Sequence, residues 1–181
     1  MINKKNMMAL IAIVFMVLIS AVPTFAATSS TQPVTVTVKQ TIAISAQWNG
    51  GGNNSSINLG SVSADNMQTT FAGGATGEQL TTASNDIIDI WTKVATASFA
   101  GTDPIASSNF MFSGLNQTTA KAYSNSYAII GNATPKAPQG NPTTYPVTFY
   151  LTVPYGTSAG AYTNTVYFSA VAHDAAAPTT P

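Results

Sequence analysis

The chain is 181 residues long, 45% hydrophobic and only 7% charged, with no cysteine and no arginine. Beyond residue 26 it keeps four lysines against five aspartates and one glutamate, a net charge of −2 spread along the whole length. That excludes clustered-cation chemistry, so neither nucleic-acid binding nor electrostatic attachment to a membrane is expected. A fold without disulfides must rest on a hydrophobic core.

The N-terminus carries the first element. Lys4 and Lys5 precede an uncharged run from Met7 to Val22, which Pro23-Thr24-Phe25-Ala26 closes with small residues at Thr24 and Ala26. This order of positive, apolar and small residues predicts a secretory signal peptide over residues 1–26, helical across 7–22 and cut after Ala26. The run is short for a membrane span, which needs about 20 residues. A type IV pilin that keeps its apolar helix is the rival reading; against it, Lys5-Asn6-Met7 lacks the small residue that prepilin processing favours. The exported remainder divides into an N-terminal extension over 27–40, a β-domain over 41–173 and a flexible Ala/Thr/Pro tail over 174–181.

Period-two alternation runs through the body of the chain. Val34, Val36 and Val38 are followed on the same parity by Ile42, Ile44, Ala46 and Trp48, until the loop Asn49–Ser56 ends the run. Ile57–Val62 reads as a short strand. Ile88–Thr96 is apolar on both parities, as in a strand buried on both faces. Phe110 with Phe112, Tyr127 with Ile129, Phe149 with Leu151 and Val153, and Val166 with Phe168 and Ala170 mark further strands. No segment after residue 26 shows helical periodicity. Eight or nine short strands separated by Gly, Pro and Asn predict an all-β, two-sheet antiparallel sandwich. Its inward residues should include Trp48, Leu59, Ile90, Phe149, Leu151, Val166 and Phe168.

The run from Val34 to Trp48 holds one face for fifteen residues without Gly, Pro or Asn. At about 3.3 Å per residue it would extend near 50 Å, well past an ordinary strand. Either the strand passes from one sheet to the other near Lys39-Gln40, or Val34, Val36 and Val38 leave the domain and complete a neighbouring copy by strand addition. A low-charge, hydroxyl-rich surface, which repels its own copies weakly, favours the second.

Residues suited to chemistry are few. His173 is the only histidine and reads as a solvated strand end, with no nucleophile and base to form a triad around it. The loop Asn49–Asn53 lacks the Lys-Ser/Thr of a phosphate cradle. Asp86, Asp89 and Asp103 lack the spacing of a calcium loop and read as exposed carboxylates. Trp48 and Trp91, within apolar strands, read as core. Residue type alone suggests an isopeptide between Lys93 and an Asn with Glu78. Four N-x-[ST] sequons, at Asn53, Asn54, Asn116 and Asn132, are candidate glycosylation sites. No metal, cofactor or enzymatic activity is expected.

Two stretches carry a resemblance. Val153-Pro154-Tyr155-Gly156-Thr157-Ser158-Ala159-Gly160-Ala161-Tyr162 looks like the turn between the last two strands of Ig-like domains in secreted prokaryotic surface proteins, with Tyr162 as a tyrosine corner. Ile57–Ser63 resembles an opening strand of such domains, and Asp89–Lys93 with Ile105–Phe110 their middle. The resemblance spans most of residues 34–172 and implies an Ig-like sandwich, with a jelly-roll-like arrangement as the alternative. By architecture, the chain is similar to archaeal threads and bundling pili and to biofilm fibres of the camelysin class. That likeness implies an extracellular or cell-surface location and a head-to-tail homopolymer built by an N-terminal donor strand. The alternative is a monomeric adhesion or carbohydrate-binding domain that presents Tyr123, Tyr127 and Tyr155 to surface proteins or glycans.

Overall fold

The computed structural model describes residues 32–180; the signal peptide, its apolar helix and the start of the N-terminal extension lie outside the described residues. From Val38 onward the chain forms a compact unit. Eleven strands follow one another: β1 (Ile44–Trp48), β2 (Gln68–Phe71), β3 (Glu78–Thr82), β4 (Ile88–Val94), β5 (Ser98–Phe99), β6 (Ile105–Ala106), β7 (Phe110–Gly114), β8 (Gln117–Ala122), β9 (Ala128–Thr134), β10 (Thr143–Thr152) and β11 (Val166–Ala172). Among the described residues the only helix is a 3₁₀ turn at Ser107–Asn109. The domain is all-β, as its alternation predicts.

Three antiparallel sheets result. The largest runs β1-β3-β10-β7-β8, with β2 also on β10; the second runs β11-β4-β9; β5 and β6 pair alone. The ten-residue β10 organises the first sheet. Its early half pairs with β3, Val147 facing Glu78, and its later half with β2, Leu151 facing Thr69. Between β2 and β3 the chain turns so tightly that a Cβ on Gly77 would fall 1.9 Å from the Ala72 carbonyl oxygen, and only glycine fits.

One core joins residues of the two larger sheets. Leu80, Phe112, Val147 and Phe149 from the first and Ile88, Ile90 and Val94 from the second are completely buried. Phe110, Phe112, Tyr123 and Phe149 cluster with ring centroids 4.6–6.2 Å apart, one pair stacked and the others tilted, and Phe99 meets Phe110 edge-on at 5.5 Å, an arrangement that aromatic quadrupoles favour. Of the expected inward residues, Ile90, Phe149 and Leu151 are buried, and Trp48, Leu59, Val166 and Phe168 are half-buried against the core.

Several local expectations are corrected. Ile57–Val62 forms no strand and pairs with none, although Ile57, Leu59, Val62 and Ala64 pack on the core. Val34–Val38 is likewise in no ladder. Trp91 sits outside the core cluster, because β4 buries Ile90, Thr92 and Val94 on the alternate parity. Tyr123, expected on the surface, is buried in the aromatic stack. Strands β2, β3 and β8, with their Gln and Thr, were not visible as alternation.

Candidate functional site

A groove of about 1160 Å³ opens between β1, the unpaired Ile57–Ala64 segment and β11. Both flanks are under-partnered. β1 is an edge of its sheet, and β11 pairs only with β4, so its other edge carries no ladder among the described residues. Every residue of β11 is half-buried, which is the state of a strand covered on one side. Apolar side chains such as Ile44, Leu59, Phe110, Leu151, Val153 and Phe168 line the groove.

One lining group is out of character. Glu78 is 1% exposed, and neither carboxylate oxygen has a hydrogen-bond partner. It shares a face with Leu80 and Thr82, both fully buried, so strand alternation directs it inward. Burial pushes its acid up to about 8, because removing the charged form from water has no compensating partner here. At neutral pH the groove therefore contains a neutral carboxylic acid, able both to donate and to accept a hydrogen bond.

Tyr162 also lines the groove. Its hydroxyl donates to the Ser158 carbonyl at 2.7 Å, the backbone partner expected of a tyrosine corner. The ring lies so close to Gly101 that a Cβ there would meet it at 2.3 Å. Asp103 Oδ2 accepts from the Ser158 amide at 2.8 Å, and the bonds from Ser158 hold its carboxyl below the usual range.

Where β3 ends and β4 begins, the connecting loop holds Lys39–Thr41. The Thr41 amide donates to Asn85 Oδ1 at 2.7 Å, and Asn85 Nδ2 donates to the Lys39 carbonyl at 2.8 Å. Gln40 Nε2 donates to Asp86 Oδ2 at 2.7 Å. Immediately before this clamp Val38 is 77% exposed, and Val36 and Val34 are 81% and 93% exposed. Three alternating valines in water are unusual for an extended segment of this composition.

The other candidates do not converge. Asp89, expected to be exposed, is buried and accepts three bonds: from His173 Nδ1 at 2.9 Å, from the Ala133 amide at 2.8 Å and from the Asp174 amide at 3.1 Å. Burial raises its acid, but those bonds outweigh it and hold the carboxyl low; the same bond to Asp89 raises the His173 imidazole. The pair latches the end of β11 to β4 and β9. Asp86, Asp89 and Asp103 thus serve three separate places, and among the described residues no group of three His, Cys, Asp or Glu side chains could hold a metal. Lys93 lies over the Tyr127 ring at 4.6 Å and near Tyr167 at 5.6 Å, on the parity of β4 that faces away from the interior Glu78 enters. The tail is bound at its far end, where the Tyr127 hydroxyl donates to the Thr180 carbonyl at 3.3 Å.

The four sequon asparagines are exposed, in unequal settings. Asn53 accepts from Gln47 Nε2, and Asn54 takes a positive φ of 58° in its turn. Asn116 uses its side-chain amide at both ends, donating to the Asn132 carbonyl and accepting from the Asn132 amide. Thr134, the hydroxyl residue of the Asn132 sequon, is buried.

The arrangement defines an all-β domain with an open groove of mixed lining and, before it, three exposed alternating valines. Compared with protein-family models, curated proteins and solved structures, the chain matches none.

Proposed function

We propose that the chain is an exported structural subunit of an extracellular filament or surface assembly. In it, the Val34–Val38 segment of one copy is added as a strand to the groove of the next. The two larger sheets are then the halves of an Ig-like sandwich that lacks one strand, and the missing strand arrives from a neighbour. The observation that carries this reading is the groove itself: about 1160 Å³, floored by core side chains such as Phe110 and Leu151 among Ser, Thr and Asn residues, and bordered by a β11 edge without a ladder partner among the described residues. The exposure of Val34, Val36 and Val38 supplies a complementary strand with a single apolar face.

The energetics support a stable contact. Burying three valines contributes roughly 1.5–3 kcal/mol each, with backbone bonds to β11 in addition, against a cost of association of several kcal/mol. The partners of the chain in this reading are copies of itself, outside the cell, without metal, cofactor or nucleic acid. Its location rests on residues 1–26 acting as a removable signal peptide.

The test is Val36→Asp in the mature protein, alongside deletion of residues 27–39. A carboxylate buried in the groove costs several kcal/mol unless paired. Negative-stain microscopy and light scattering should then show folded, unassembled protein. Filaments that still form as readily as from wild type would overturn donation of the Val34–Val38 segment.

A further inference from the structure

Resting on that reading, we infer that Glu78 is a register lock: it receives the side-chain amide of Gln32 from the incoming copy and so fixes where the donated strand stops. Three observations converge on this pair.

The groove offers one unsatisfied polar group. Glu78 lines it, is 1% exposed, and has two oxygens without partners. A natural fold rarely leaves such a group bare, because an unpaired buried carboxyl loses its solvation for nothing. An apolar strand would leave it bare still. Whatever fills the groove has to bring a polar group to this position.

The exposed segment offers one polar group on the correct face. Strand side chains alternate, so Gln32, Val34, Val36 and Val38 share a face. Thr35, Thr37 and Lys39 lie on the other. Gln32 is thus the polar end of an otherwise apolar stripe. Its amide complements a protonated carboxyl on both sides: Nε2–H donates to one oxygen while Oε1 accepts from the acid O–H. Pro33, which has no amide hydrogen, is tolerated at the first residues of an added strand.

The lengths agree. Glu78 stands opposite Val147 on β10, and Val153 lies six residues further along the same path. From Gln32 to Val38 is also six residues, about 20 Å in extended chain. With Gln32 at Glu78, Val38 reaches Val153 beside Tyr162, and Val34 and Val36 fall across Phe110, Leu151 and Phe168. Reversing the strand would carry Val38 beyond Ile44, where the lining ends. A slip by two residues would set Val34 against the carboxyl and leave both polar groups unpaired. One buried polar pair fixing register within an apolar contact is a recognised device.

The chain has no cysteine, so single introduced thiols report the register directly. Copies carrying Glu78→Cys are mixed under mild oxidation with copies carrying Gln32→Cys, Val34→Cys or Val36→Cys, and disulfide dimers are counted. Glu78→Cys removes an unsatisfied acid, so it is expected to fold; its circular dichroism and melting curve are checked first. Should it fail to fold, Trp48→Cys, opposite Glu78 on β1, serves as the acceptor thiol. The lock predicts cross-linking at least about ten-fold more with Gln32→Cys than with Val34→Cys or Val36→Cys, since a disulfide closes only when the Cα atoms lie within about 7 Å. It also predicts a rise of about ten-fold in the concentration needed for assembly by Gln32→Leu, reversed when Glu78→Leu is added. Preferential cross-linking through Val34→Cys or Val36→Cys would overturn the lock and keep strand donation. No cross-linking from any of the three positions would overturn strand donation itself, and the lock with it.

Discussion

Replacing Glu78 with Gln keeps the size and hydrogen-bonding character of the side chain but removes its ionisation, so the pair of proteins isolates one energy. In the folded wild type the acid stays protonated up to about pH 8, against an ordinary value of 4.5. Between those values the unfolded chain has released a proton that the native chain still holds. The sign is therefore fixed: with the folded pKa raised, stability falls as pH rises through this window, by about 1.4 kcal/mol per unit. From pH 4.5 to pH 7 the ideal total is roughly 3 kcal/mol, which water at the open side of the groove reduces to about 2 kcal/mol. Urea unfolding of dilute, unassembled protein at half-unit pH steps measures it. Glu78→Gln should match wild type within about 1 kcal/mol at pH 4 and exceed it by about 2 kcal/mol at pH 7. Parallel stability curves from pH 4.5 to 8 would refute the reasoning, since they would mean that Glu78 ionises in the folded protein as freely as in the unfolded chain.

Other substitutions probe the frame around the groove. Tyr162→Phe removes the bond to Ser158 and should cost about 1 kcal/mol by chemical denaturation, with no change in fold. Gly101→Ala should cost more, because its Cβ would strike the Tyr162 ring at 2.3 Å. Asp89→Asn should weaken the latch on β11 most at mildly acidic pH, between the ordinary values of the two groups, 3.8 and 6.5. The lowered Asp89 acid contributes stability that is present above its ordinary value and lost as pH falls through the folded one; the raised His173 contributes below its ordinary value and loses it as pH rises through the folded one. Melting temperature against pH for the variant should therefore lack the mid-range advantage of wild type. Phe149→Ala, at the centre of the aromatic stack, should cost about 3–5 kcal/mol and leave little folded protein at room temperature.

Alternation in sequence reports which side of a strand is apolar, and so it located β1, β4, β7, β9, β10 and β11. It does not report partners. Ile57–Val62 alternates well, yet its backbone finds no ladder and turns through a positive φ at Gly60; conversely Gln68–Phe71 and Gln117–Ala122 carry few apolar residues and become strands because β10 and β7 present free edges to them. The burial of the Glu78 carboxyl escapes local pattern for the same reason. Its only local sign is that it keeps parity with Leu80 and Thr82, and the isolation of its carboxyl is produced by distant segments closing over it. Asp89 stands on the opposite parity to Ile88 and Ile90, which reads as exposed; it is buried and partnered by segments distant in sequence. Its partners His173 and Asp174 lie more than eighty residues away, beyond the reach of any local pattern. The N-terminal valine stripe was legible as a stripe. Its two destinations, own sheet or neighbour, differ only in tertiary context.

The positions of clamp and groove decide what kind of assembly strand donation would build. Lys39–Thr41 is held by Asn85 and Asp86, where β3 ends and β4 begins. In the register proposed, Val38 is received beside Val153 and Tyr162, where β10 ends and β11 begins, at the other pole. In the proposed assembly the donor therefore leaves its own copy at the clamped end. Each copy then gives at one pole and receives at the other, a heterologous contact that propagates instead of closing as a two-fold exchange. A Val36→Asp copy keeps an intact groove but a spoiled donor, so it can receive and cannot give. Doped into wild type, it should end growing filaments, and mean length by electron microscopy should fall in inverse proportion to its fraction. Reciprocal dimers would show no such length dependence. Sedimentation showing a fixed two-copy species at every doping ratio would rule out the open filament while retaining the exchange of strands.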